Sequence, residues 1–180
     1  MRVLFLFPLL LASLGRADVR NCQCDVSKPE TMEARECGLC RETEKQPPGT
    51  GYFFVKDINP RKPNRWLVLP RFHVQGPHEL AAMSDAQRTG FWEAAIAKAR
   101  ELWGDRWGLA VNGMESRTQC HAHIHIGRLL EGIETDHFVV VDRAAKIPSP
   151  RDGTGLWVHP EGTKLHVHLG EVITETVLLR

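Results

Sequence analysis

The sequence has no excess of either charge: its 180 residues carry 23 lysine and arginine against 22 aspartate and glutamate side chains, a formal net charge of +1. A nucleic-acid groove or a polybasic membrane surface would need surplus positive charge, so neither is indicated. No internal repeat and no low-complexity segment is present in the sequence. The length is that of one domain, or of one domain with an appendage, and the apolar residues suffice for a core.

Long apolar runs are also rare, and the one that is present, Val3–Leu14, follows the basic start Met1-Arg2. This run is shorter than the roughly 20 residues that a membrane-spanning helix needs. Because Gly15 and Ala17 supply small residues at the −3 and −1 positions of a cleavage site, residues 1–17 are predicted to be a secretory signal peptide. The alternative is a retained membrane anchor. We therefore expect a periplasmic or secreted mature protein with no membrane span after cleavage.

The five cysteines are an odd number for a compartment that favours disulfides. Cys37 and Cys40 form a C-x-x-C pair, which fits a zinc half-site, a redox pair or a structural disulfide. The redox interpretation needs a βαβ context that the flanking sequence does not offer. Cys120 is predicted to face the core as a small apolar residue. Cys22 and Cys24 are compatible with disulfides and with a place in a metal site.

Hydrophobic alternation and turn signals predict an α+β fold with a mostly antiparallel sheet and one long helix. The capping box Ser84–Gln87 opens that helix, and Gly104 is predicted to end it. The segment 131–180 is predicted to be a β-rich extension, and residues 18–36 a loose lead-in. The predicted strands, in chain order, are 52–55, 65–69, 71–74, 107–111, 120–129, 138–141, 156–159, 163–169 and 171–179.

Three histidines at alternating positions stand out: His121, His123 and His125. In an extended strand their side chains point to one face, with neighbours about 6.5–7 Å apart, so adjacent imidazoles can share one phosphate or metal. The intervening residues are apolar and are predicted to enter the core: Ala122, Ile124 and Ile126.

This pattern resembles the signature of the histidine-triad (HIT) superfamily of nucleotide hydrolases and transferases. Two further segments resemble family motifs, Asp57–Pro60 and the stretch Leu67–Val74, which contains Pro-x-x-His-Val. The C-x-x-C pair stands where zinc-bearing members carry theirs, and the helix and Asn112-Gly113 fall in family order. The resemblance covers residues 37–130, which it identifies as a HIT-like catalytic domain.

The resemblance implies a role for each histidine of the triad. His123 would be the nucleophile that forms a covalent nucleotidyl-histidine, and His125 would hydrogen-bond the phosphate beside it. A neutral imidazole can attack phosphorus while flanking donors stabilise the charge that develops on its oxygens. Many family members dimerise, so a homodimer is compatible with this resemblance.

The resemblance also implies a structural zinc ion. In zinc-bearing members the first histidine of the triad joins the C-x-x-C pair and the histidine of the Pro-x-x-His motif on the metal. A closed set of two thiolates and two imidazoles is the pattern of a structural zinc site. The corresponding residues here are Cys37, Cys40, His73 and His121.

The turn before the triad departs from the Gly-rich form of soluble relatives, and it resembles the CDP-diacylglycerol pyrophosphatase branch, which is exported. That branch usually has Gln at the position of His121 and lacks the zinc pair. Polar side chains in this turn can donate hydrogen bonds to phosphate, and an arginine can pair with it bidentately. The predicted substrate is a nucleoside diphosphate conjugate, as a small molecule or as a lipid-linked nucleotide. The predicted phosphate-binding residues are Asn112, Arg117, Thr118 and Gln119.

Two other interpretations fit parts of the sequence. The first is a cupin-like β-barrel: the segment His159–Glu171, which contains His166 and His168, resembles one cupin metal strand, and His123 and His125 followed by Glu131 resemble the other. Cupins bind a transition metal through three histidines and a glutamate. The long helix and the unused C-x-x-C pair argue against it. The second is an exported, non-catalytic binding domain that zinc stabilises and that keeps the triad only as structure.

Overall fold

The structure is a computed structural model that describes residues 19–74, 79–150 and 153–180. The predicted signal peptide, residues 1–17, lies outside the described residues. The described chain has an α+β fold in which one antiparallel sheet of seven strands carries a long helix on one face. No helix among these residues has both the length and the apolar character needed to cross a membrane.

The sheet has seven strands: β1 (Tyr52–Lys56), β2 (Trp66–Pro70), β3 (Trp107–Val111), β4 (Ile124–Arg128), β5 (Phe138–Val141), β6 (Gly155–Glu161) and β7 (Lys164–Glu171). It is open, with β1 and β5 as its edges and the order β1-β2-β4-β3-β6-β7-β5. Neighbouring strands are antiparallel throughout. The strands of the segment 131–180 therefore continue the same sheet that contains the histidine strand.

The long helix, α4 (Asp85–Trp103), starts and ends where the sequence predicts. Ser84 Oγ accepts a hydrogen bond from the backbone N–H of Gln87, whose side chain accepts one from the backbone N–H of Ser84. Gly104 follows the last turn with a φ of 58°, a conformation that favours glycine. The helices are α1 (Pro29–Met32), α2 (Gly38–Glu44), α3 (Glu79–Ala82) and α4 (Asp85–Trp103).

The main core lies between α4 and one face of the sheet, and it contains the three apolar residues that alternate with the triad histidines, as predicted. Phe91 and Trp92 of α4 are fully buried there. A smaller apolar cluster on the opposite face is closed by the C-terminal segment, where Leu178 packs near Ala110. Gly108 permits this contact, because a Cβ at that position would lie 2.6 Å from Leu178 Cδ2.

Three strand predictions are wrong. The histidine strand begins only at Ile124, and the segment 71–74 forms bends. The segment 171–179 contains the 3₁₀ turn Glu175–Val177 instead of a strand. The physical reason for the last difference is Asn112, whose side-chain Oδ1 accepts hydrogen bonds from the backbone N–H groups of Thr174 and Glu175 and so turns the chain.

Two disulfides tie the N-terminal segment to the rest of the molecule. Cys22 pairs with Cys120, and Cys24 pairs with Cys37. Cys40 is buried and belongs to neither bridge. The prediction that Cys120 is a simple apolar core residue is therefore wrong, although its side chain is buried. The lead-in is also more structured than predicted, because the bridges hold it against the loop that precedes the triad.

Candidate functional site

The triad histidines divide into two groups. The ring centroids of His123 and His125 are 5.0 Å apart, with their planes at 76° to each other. His121 turns away from this pair, because it lies before the strand, and its ring centroid is 4.8 Å from that of His73. The ring of His121 therefore lies beside His73, and the rings of His123 and His125 lie beside each other.

The protonation state of His123 follows from its hydrogen bond. Its Nδ1 lies 2.8 Å from the backbone carbonyl oxygen of His121. A carbonyl oxygen only accepts, so Nδ1 carries the proton and Nε2 keeps a lone pair. Burial, together with the neighbouring His125 and Arg117, lowers the pKa of His123 to about 3. The ring is therefore neutral at physiological pH and has one nucleophilic nitrogen.

His123 lines a small cleft, with about 40 Å³ of open space, that has both polar and apolar residues in its lining. Asn112, Arg117 and Thr154 are polar residues of this lining. The apolar residues of the lining include Leu80, Phe91, Val111 and Ala122.

Two of the four predicted phosphate-binding residues line this cleft. Asn112 does so while its Oδ1 holds the C-terminal segment, as described above. The guanidinium of Arg117 donates hydrogen bonds to the backbone carbonyls of Gln119 and Cys120, both at 3.2 Å. These bonds fix the guanidinium beside the loop that carries the triad.

The other two predicted residues lie elsewhere. The side chain of Gln119 accepts from the backbone N–H of Leu39 at 2.9 Å and donates to the carbonyl of Arg35 at 3.0 Å. Gln119 therefore anchors the start of α2 to the loop. Thr118 is exposed on an adjoining groove, which shares Arg117 with the cleft of His123 and which Arg20 and Ile173 also line.

The surroundings of His125 include a charge network that the sequence did not predict. Nδ1 of His125 lies 3.6 Å from Glu175 Oε2, and that carboxylate also pairs with Lys62 and Arg65. Burial raises the pKa of Glu175, but His125 and the two cations outweigh this effect and lower it to about 2. Burial lowers the pKa of His125 to about 4. Asp57, His125 and Glu175 offer possible ligand atoms for a metal ion that all lie within 4.8 Å of one another.

The predicted zinc ligands come together in part. Cys40, His73 and His121 offer ligand atoms that all lie within 4.8 Å of one another. Cys37 does not complete the set, because its sulfur is bonded to Cys24 and a disulfide sulfur is not the thiolate that zinc binds. The structure therefore differs from the predicted closed set of four ligands at this one position.

The hydrogen bonds that the two histidines of this cluster make to other groups suit a metal site. Nε2 of His121 donates to the backbone carbonyl of Pro70 at 2.8 Å, and Nε2 of His73 lies 2.8 Å from Glu44 Oε1. Histidines that bind metals usually donate their other ring nitrogen to such an oxygen, which leaves Nδ1 as the ligand atom here. The donor set of one thiol and two imidazoles fits zinc among the common metals.

The ligand set of the cupin interpretation does not assemble. His125 is on β4 and His168 on β7, and the strands β3 and β6 lie between them in the sheet. Glu131 pairs with Arg128 at the far end of β4.

No protein-family model matches this chain.

Proposed function

We propose that this protein is an exported HIT-type enzyme that cleaves a nucleoside diphosphate conjugate through a nucleotidyl intermediate on His123. The observation that carries the proposal is the hydrogen bond from His123 Nδ1 to the His121 carbonyl. It fixes the tautomer, so that the lone pair of Nε2 belongs to a neutral ring in a cleft with Asn112 and Arg117.

In the proposed reaction, His123 Nε2 attacks the phosphorus of the nucleoside monophosphate moiety. A bond forms between nitrogen and phosphorus, and the bond to the bridging oxygen breaks. The remainder of the conjugate leaves as a phosphate. Water, or another acceptor hydroxyl, then attacks the same phosphorus and releases the nucleotide from His123, while its proton passes to solvent. Arg117 and His125 stabilise negative charge on the phosphoryl oxygens.

The proposed enzyme also includes a zinc ion, whose role is structural. Cys40, His73 and His121 would hold the ion, and zinc would fasten the triad loop to the segment after β2. Because His121 also supplies the carbonyl that orients His123, a metal bound at its ring would fix the position of the nucleophile.

The proposed substrate class rests on the residues of the cleft and on the predicted export of the protein. Arg117 provides a fixed positive charge beside His123, and apolar side chains line the same cleft. A pyrophosphate offers two acidic groups, whereas a phosphoramidate offers one. We therefore propose CDP- and UDP-linked conjugates, including lipid-linked ones, as the substrate class.

The test is to incubate the mature, disulfide-intact protein with CDP-diacylglycerol, a UDP-sugar and an adenosine phosphoramidate, and to measure nucleotide release. We expect CMP or UMP from the first two. His123→Ala should reduce turnover by several orders of magnitude while substrate affinity stays within about tenfold. His125→Ala should cost about 10²-fold. His137→Ala is the matched control, because His137 is exposed. Full activity in His123→Ala would refute the proposal.

A further inference from the structure

A second group of histidines lies on the sheet away from the triad. His159 on β6 and His168 on β7 are both buried, with 3% and 0% exposure. Register places His159 opposite His166 and Trp157 opposite His168. Glu134, in the loop before β5, brings its carboxylate to the same place. The proposed function uses none of these side chains.

The distances between the three innermost donor atoms match a metal site. Nε2 of His159 and Nε2 of His168 are 3.4 Å apart. Oε1 of Glu134 is 3.4 Å from the former and 3.9 Å from the latter. The centre of a triangle with these sides lies about 2.1 Å from each corner, which is the usual length of a zinc–nitrogen or zinc–oxygen bond.

The other ring nitrogens have oxygen partners that are compatible with such a role. His159 Nδ1 lies 3.2 Å from the carbonyl of Pro160, which can only accept. His168 Nδ1 lies 3.0 Å from Oγ1 of Thr135, a hydroxyl that can accept a hydrogen bond from it. With Nδ1 protonated in both rings, each ring directs a lone pair from Nε2 toward the carboxylate of Glu134. Three electron-pair donors converge on one point, and a cation at that point would remove their repulsion.

Neighbouring side chains hold the donors rigidly. The ring of His168 stacks on Trp157 with a centroid distance of 3.5 Å and an interplanar angle of 4°. Nδ1 of His166 lies 2.5 Å from Glu134 Oε1, and the His166 ring stacks on Phe138 at 4.2 Å. Contacts that orient ligands in this way are a regular feature of metal sites.

We propose that Glu134, His159 and His168 form a second metal site, which binds one divalent first-row transition ion, with His166 orienting the carboxylate. Two imidazoles and one carboxylate suit zinc, cobalt or iron, whereas calcium and magnesium take oxygen ligands. The side chain of Glu134 is 43% exposed, so further coordination positions face water.

This site is separate from the triad and from the cluster at Cys40. His125 and His168 lie three strand spacings apart across the sheet, about 14 Å. The inference therefore does not depend on the proposed function, because the same donors would bind the ion whether or not His123 is a nucleophile.

The test uses the mature, disulfide-intact protein carrying Cys40→Ala, which removes the thiol ligand of the other cluster. After treatment with a chelator, we expect it to bind one Co²⁺ per chain with a visible ligand-field band. With Zn²⁺, X-ray absorption should show only nitrogen and oxygen ligands. Glu134→Gln and His159→Gln should each raise the Kd for Co²⁺ at least about tenfold. His137→Ala should leave it unchanged.

Two results would overturn the proposal. One is the absence of Co²⁺ binding by the Cys40→Ala protein, and the other is a folded Glu134→Gln variant whose Kd for Co²⁺ equals that of the parent protein. Glu134 is the deciding position because its side chain is the exposed member of the site, so that its amide variant preserves packing. Circular dichroism of each variant establishes that it is folded.

Discussion

The carboxylate of Glu175 lies 2.8 Å from Nη1 of Arg65, a guanidinium whose side chain is only 2% exposed. Arg65 also donates hydrogen bonds to the backbone carbonyls of Leu178 and Leu179. The C-terminal segment is thus attached through one buried cation to the start of β2. Because Glu175 also neighbours His125, this ion pair joins the chain terminus to the histidine strand.

This ion pair predicts how stability depends on pH. The pKa of Glu175 falls from 4.5 to about 2 in the folded protein, so its contribution to the free energy of unfolding is complete above pH 4.5 and is lost as the pH falls toward 2. Glu175→Gln should lower the free energy of unfolding by about 3 kcal/mol at pH 7. Urea unfolding of both proteins at several pH values measures the difference.

We expect the difference between wild type and Glu175→Gln to shrink between pH 4.5 and 2. Glu131→Gln serves as the control, because the side chain of Glu131 is 88% exposed and ion pairs of exposed residues contribute little. A Glu175 effect that is equal at pH 7 and pH 3 would show that the carboxylate charge is not what stabilises the segment.

The two disulfides should differ in their effect on stability. The Cys22–Cys120 bridge spans a sequence separation of 98 and the Cys24–Cys37 bridge one of 13. In the chain-entropy account, closing a loop of about 100 residues stabilises by about 4.7 kcal/mol, and a loop of about 15 residues by about 3 kcal/mol. Denaturation of the two paired alanine variants measures both.

We expect the variant that lacks Cys22–Cys120 to unfold at the lower urea concentration. The second variant is its matched control, since each loses two cysteines. The opposite order would mean that loop entropy does not govern these bridges, and that packing of the N-terminal segment does.

Arg117 provides a test of substrate preference. Its guanidinium is held by two backbone carbonyls and lines the cleft with His123. Arg117→Ala should lower kcat/KM for a nucleoside diphosphate conjugate by about 10²-fold or more, as for loss of one charge-stabilising donor. Activity toward a phosphoramidate should fall less, because that substrate has one acidic group.

Arg128→Ala is the control for Arg117→Ala, since Arg128 lies at the far end of β4 and pairs with Glu131. Wild-type protein that cleaves only phosphoramidates, with no loss in Arg117→Ala, would exclude the pyrophosphate substrate class.

The parts of the fold that the sequence predicts well are those with local signals. The capping box at Ser84 and the strand Trp107–Val111 follow from residues a few positions apart, and both are confirmed. The burial of Ile124 and Ile126 follows from alternation in the same way. Such patterns are sufficient because each element carries its own periodicity.

The parts that the sequence does not predict depend on contacts between distant residues. Cys22 pairs with Cys120 across 98 positions, and spacing alone cannot give the connectivity of four or more cysteines. Glu175 meets His125 because Asn112 turns the C-terminal segment, which alternates like a strand in sequence. Gln119 is similar: its polar side chain fits phosphate binding, but it anchors α2.

The most direct test of the central claim is whether His123 becomes covalently nucleotidylated. Wild-type protein mixed with a CDP-linked conjugate and quenched rapidly with denaturant should gain the mass of one CMP group less water. Peptide mapping should place that group on His123, and the adduct should be labile in acid. The His137→Ala control should give the same adduct, and His123→Ala should give none. Normal turnover by His123→Ala, or an adduct on another residue, would contradict the account.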